Sequence, residues 1–420
     1  MRTARTYTGY FLTAAFLVLG VLAFVSEDDR QARRLVAGIP NRTEDVLSYF
    51  VSLAERRGAA KAFEVLRATQ HALPELTDVH EIGHALGGIL YAEEGVRGFS
   101  RCTHDFFNAC AHAITIRHLV TYGTSTLTAF RETCTQSSRG TDHYRLCLHG
   151  VGHGVFAAAG YDIARALADC ATFGAGGQTP APSVEEVECV GGVVMEIAEG
   201  GEHAPLSWQH ARAPYVGAEG SFSLCESIVS RSARLPCYFY FTGLLFASSS
   251  EDVSSPSTLT SPNIRTALDV CAQLSFGSEE RRSCVSGVAR HIVPDTLGQQ
   301  WFRRARMEVV SRMYLGCAAA ASFEDISSCI FAVARRISWG SAARAVRTAS
   351  QFCNDVPVLY REACERGIIG SLVGGGVAQG EARRGCALLL ARYRAPCLAA
   401  VGELSSAASA AAREQRSKRR

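Results

Sequence analysis

The chain has 420 residues, a net charge of +3 and 47% apolar residues. Such a length allows two or three globular domains or one elongated array, with ample material for a buried core. The balanced charge excludes a nucleic-acid surface, and since Lys61 and Lys418 are the only lysines, nearly all the positive charge is arginine.

At the N-terminus, Thr6 to Ser26 carries no charge; Arg2 and Arg5 precede it and Glu27, Asp28 and Asp29 follow. About 20 apolar residues span a bilayer, and the positive flank stays cytoplasmic. Residues 1–26 therefore read as a cytoplasmic stub and single-pass signal-anchor helix. The body is then extracytoplasmic: periplasmic, extracellular or luminal. A cleaved signal peptide is the alternative, although Ala23-Phe24-Val25 is a poor small-x-small cleavage site. Asn41-Arg42-Thr43 forms a glycosylation sequon, meaningful only in a eukaryotic secretory host.

The next stretch, Thr43 to Leu73, reads as two helices broken near Gly58, with Thr43 as N-cap and Glu44 and Asp45 in the first turn. Thr77 is the expected cap of the following helix. Beyond it the 16 cysteines fall into eight successive pairs, from Cys102/Cys110 to Cys386/Cys397, and no Cys-x-x-Cys occurs. That spacing excludes zinc ribbons and thioredoxin-like motifs; in an oxidising compartment such cysteines form disulfides. Six of the pairs are 11 to 13 positions apart, and their second members recur every 33 to 48 residues. A period of this size marks a repeat array.

Each unit reads as a helix, a cysteine near its C-terminus, a loop, a second cysteine and another helix, with little period-2 alternation to suggest strands. The expected fold is all-α, an α-solenoid of helical hairpins stapled by sequential disulfides. Residues 27–247 form the histidine-rich N-terminal repeats and 264–404 the C-terminal repeats, divided by the Ser/Pro-rich stretch at 248–263. Residues 405–420 form a basic, solvated tail.

The candidate chemistry lies in His80-Glu81-Ile82-Gly83-His84 and in His149-Gly150-Val151-Gly152-His153. Residues i and i+4 share a helix face, so each segment aims two imidazoles at one volume, as a metal site requires. Aligned on the second cysteine, His112 and His149 fall at the same position, His80 joins them with Asp78 in the cysteine's place, and His84 and His153 coincide four residues on. Equivalent positions of successive repeats line one surface. His80, His84, His112, His149 and His153, with Glu81 and Glu196 nearby, are thus expected to form a patch for one or two transition-metal ions: zinc first, then iron or copper. Ligands sharing an ion should have nitrogens about 3–4 Å apart.

The segment His-Glu-Ile-Gly-His-Ala-Leu-Gly also resembles the zinc helix of metzincin peptidases, the serralysin and matrix-metalloproteinase kind. The resemblance implies that His80 and His84 bind zinc and that Glu81 is the general base. The sequence departs from that family at Leu90, where its third histidine stands, and no Met-turn follows. Helical-repeat metalloenzymes such as deoxyhypusine hydroxylase are similar in architecture alone. Two alternatives to a metal-dependent hydrolase or oxidase follow: a zinc metallopeptidase, and a non-catalytic scaffold that binds a protein partner on the solenoid surface and uses its histidines structurally. Gly150, Gly152 and Gly154 lack the Gly-Lys-Ser/Thr of a phosphate loop.

Overall fold

Alanine- and arginine-rich runs between the cysteines form helices, and no strand occurs among the described residues. The computed structural model describes residues 43–402, apart from 70–72, 74–76, 104, 137–141, 176–182, 200–205, 247–261, 294–306, 339–341 and 375–378. The expected anchor at 1–26, the dividing stretch at 248–261 and the tail at 405–420 lie outside the described residues. No described helix is long and apolar enough to cross a membrane.

Helices α1 (Thr43–Arg57) and α2 (Ala59–Thr69) open the structure. Gly58 breaks them as expected, at a φ of 85° that favours glycine. Val46, Phe50 and Ala54 recur at four-residue spacing on the buried face of α1 and meet Phe63 and Leu66 of α2. Next come α3 (Val79–Glu94) and α4 (Ala109–Tyr122), and then hairpins: α5 (Leu127–Gln136) with α6 (Asp142–Ala158), and α7 (Ile163–Ala175) with α8 (Val184–Glu199). The short α9 (Leu206–Arg212) precedes α10 (Ala218–Glu226) with α11 (Arg231–Tyr240), and the short α12 (Thr242–Phe246) follows them. The remainder comprises α13 (Pro262–Cys271) with α14 (Glu279–Ile292), α15 (Met307–Ala318) with α16 (Phe323–Ile337), α17 (Ala342–Asp355) with α18 (Arg361–Gly374), and α19 (Gln379–Ala387) with a final helix at 391–402.

All 16 cysteines are paired as neighbours in sequence, from Cys102–Cys110 to Cys386–Cys397. From Cys134–Cys147 onward each bond joins the two helices of one hairpin. The first pair departs from the pattern, because Cys102 ends a 3-10 turn (Gly95–Arg101) rather than an α-helix. The second helices form one continuous row in which α3, α4, α6, α8, α11, α14, α16 and α18 each pack on the next.

Glycine sets the spacing within that row. A Cβ placed on Gly192, Gly287 or Gly367 would lie 2.0, 2.1 or 2.2 Å from the carbonyl oxygen of His149, Phe239 or Phe331 on the preceding helix. Each of these glycines stands three positions after its helix's cysteine, and each carbonyl two positions after the cysteine before it. The buried core has two parts: Val46 to Ile114 form one cluster, and Leu119 to Val401 another that runs unbroken through both sets of hairpins.

One capping expectation is corrected. Asp78, not Thr77, caps α3: its carboxylate accepts the N–H groups of His80 (2.9 Å) and Glu81 (3.0 Å). Thr77 is buried, and its hydroxyl finds no partner among the described residues. A carboxylate at this position also favours the positive end of the helix dipole.

Candidate metal centre

Helix α3 carries His80 and His84 one turn apart, and their Nε2 atoms lie 3.1 Å from each other. The Nδ1 of His80 meets the carbonyl oxygen of Phe106 at 2.7 Å. The turn leading into α4 aims that carbonyl with two residues in the left-handed region, Phe106 (φ 57°) and Asn108 (φ 62°). If Nδ1 donates its proton there, Nε2 keeps the lone pair, the arrangement that orients metal-binding histidines.

A third imidazole comes from α4. One ligand atom from each of His80, His84 and His112 can be chosen so that all three lie within 4.8 Å of one another. Leu90, which holds the place of the metzincin third histidine, is instead 1% exposed in the core. His112 is 3% exposed, and neither of its ring nitrogens has a hydrogen-bond partner among the described residues. An orphaned buried polar atom costs about 1–3 kcal/mol, so His112 is poorly explained as a satisfied core residue. Glu81, half-buried, follows His80 on the same turn of α3.

The ring of His112 stands between the two histidine pairs. Its centroid is 6.2 and 5.9 Å from those of His80 and His84, and 6.0 and 4.9 Å from those of His149 and His153 on α6. A Cβ on Gly150 would meet the His112 ring at 2.7 Å, so this glycine admits the imidazole between the helices. All five predicted histidines thus join one cluster. Glu196 on α8 contacts His153 Nδ1 at 2.6 Å, while His153 Nε2 is buried without a hydrogen-bond partner among the described residues. The carboxylate therefore orients His153 from the side away from Nε2.

Burial pushes the imidazoles of His84, His112 and His149 well below the usual histidine range, and the neighbouring rings push in the same direction. Burial lowers His80 too, against the opposing bond to Phe106. These rings are neutral at pH 7, the form that ligates metals.

Two parts of the site were not expected from sequence. His149 Nε2 lies 3.2 Å from Met195 Sδ, and its ring centroid is 5.0 Å from that of Tyr240 on α11. Past Tyr240 the stripe becomes ionic. The Arg290 guanidinium sits over the Tyr240 ring and pairs with Glu199, with His291 Nε2 3.7 Å from the same carboxylate. Burial pushes the Tyr240 phenol up to about 12 and the His291 imidazole down to about 4, the latter against the pull of Glu199. The register used for the histidines could have found these residues: Met195 and Arg290 stand six positions after their cysteines, as His153 does. The chain matches no family model, no curated protein and no solved structure.

Proposed function

We propose that this protein is an exported α-solenoid, anchored to the membrane by residues 1–26, that holds a transition-metal ion between the first helices of its row. His80, His84 and His112 are the ligands, and zinc is the metal that best suits three neutral imidazoles. The observation that carries the reading is the convergence of these three rings, with both nitrogens of His112 buried and without a hydrogen-bond partner among the described residues. Three protein nitrogens leave a coordination position open, as in zinc sites that activate water. Metal-assisted hydrolysis is the reaction class we assign, with Glu81 as the general base. Glu196 is placed outside the ligand set, as the group that orients His153. His112 stands in for the ligand that the metzincin motif lacks at Leu90, so the resemblance extends to the donor types but not to their spacing. The eight disulfides suit an oxidising compartment.

Metal analysis of the purified body, residues 27–420, tests the centre. After dialysis against zinc, the wild type should retain one tightly held equivalent, and His84→Ala and His112→Ala should lose it while keeping wild-type helical content. Retention of the full equivalent by both variants would overturn the assignment.

A further inference from the structure

Beyond the three-histidine centre, we propose a second and softer metal site, formed by His149, His153 and Met195, that takes monovalent copper. Met195 is one of four methionines in the chain. It occupies on α8 the register position that His153 holds on α6, six residues after the cysteine, so the repeat brings a thioether where it elsewhere brings an imidazole.

The geometry suits a shared ion. The ring centroids of His149 and His153 are 5.0 Å apart, and two imidazoles bound to one ion at 2.0–2.1 Å have centres about 5 Å apart. The His149 Nε2 to Met195 Sδ distance is 3.2 Å, near the roughly 3.5 Å expected of a nitrogen and a sulfur bound tetrahedrally at about 2.0 and 2.3 Å. A thioether is a weak hydrogen-bond acceptor, so it is a poor reason to hold a histidine there. His153 Nε2 is buried with no hydrogen-bond partner among the described residues, on a residue 5% exposed. Glu196 fixes His153 through Nδ1 and leaves Nε2 as its ligand atom.

The donor types select the metal. Thioether sulfur is soft and favours copper in its monovalent state, whereas zinc and iron are served as well or better by imidazole and carboxylate. The all-nitrogen set of His80, His84 and His112 shares no ligand with this one and has no sulfur in it. The two sites thus differ in the metal they prefer, and either can exist without the other.

The test is an anaerobic titration of the purified full-length chain with monovalent copper against a chromophoric chelator. Ascorbate serves as reductant, since a thiol would attack the disulfides. The wild type should take one equivalent with an X-ray absorption signature of sulfur at about 2.3 Å. Met195→Leu keeps the volume and should weaken copper binding tenfold or more, erase the sulfur signature, and leave zinc retention unchanged. His84→Ala should lose zinc and keep copper. A Met195→Leu protein that binds copper within twofold of wild type would overturn the second site, as would a wild-type copper spectrum without sulfur. A wild type that binds copper with the sulfur signature but retains no zinc would overturn the first centre and leave the second standing.

Discussion

A buried neutral imidazole makes stability depend on pH, and the sign follows from the direction of the shift. His84, His112 and His149 have folded-state pKa values well below the usual 6.5, and His291 is lowered to about 4. Between the folded and unfolded values the unfolded chain binds more protons, so stability falls as pH drops. The contribution is fully present above about 6.5 and is lost progressively as pH falls toward the folded values. The metal-free protein should therefore show a urea midpoint that declines from pH 7 to pH 5. The decline should be shallower in His112→Gln, which removes one of the buried rings that must charge. A midpoint that stays flat or rises over this range would contradict the neutral, buried cluster. Zinc should raise the midpoint at pH 7 and lose that effect in acid, because protons compete for the ligand atoms.

Much of the element scale was legible in the sequence. The cysteine ladder gave the hairpins, and the alignment of His80, His112 and His149 on it brought the imidazoles into one place. Met195 and Arg290 hold the same register position as His153, but a methionine or arginine in a helix ordinarily reads as core or solvated surface. Asp78 stands where the other units carry their second cysteine, and it is also the helix cap. A glycine's contact with a carbonyl on another helix leaves no local trace in the sequence, so the carbonyl that each of these glycines meets is visible only in the structure. A single helix can test this contact. On α18, a Cβ at Gly367 would lie 2.2 Å from Phe331 O, whereas one at Gly370 meets only Phe331 Cζ at 3.6 Å, an ordinary contact. Glycine to alanine inside a helix normally stabilises by up to about 1 kcal/mol, but overfilling a tight contact costs about 1–3 kcal/mol. Gly370→Ala should leave the urea midpoint unchanged or raise it, and Gly367→Ala should lower it. Equal effects at the two positions would mean that the row is not spaced by glycine.

At the scale of the whole molecule, each second helix packs on the second helices immediately before and after it, and each hairpin from α5–α6 onward is closed by its own disulfide. Stability in such an array is close to a sum of unit and neighbour contributions, so damage to one unit should stay near that unit. The Cys225–Cys237 bond, which joins α10 and α11 across a separation of 12 residues, is the sharpest place to ask. Both sulfur-bearing residues are 0% exposed, and closing a loop of this length restricts the unfolded chain by about 3 kcal/mol. Replacing both cysteines by alanine should cost about 2–5 kcal/mol. Its mark should be local: limited proteolysis should open first between residues 218 and 240, while hydrogen exchange in α3, α4 and α16 stays at the wild-type level. Zinc held by His80, His84 and His112 should survive, because α11 packs chiefly on α8 and α14, while those ligands sit on α3 and α4. Copper at His149 and Met195 should weaken, since α11 packs on α8, which carries Met195, and its Tyr240 faces the His149 ring. Global loss of protection together with loss of both metals would instead show one cooperative unit, and the description as a chain of locally stapled hairpins would fall.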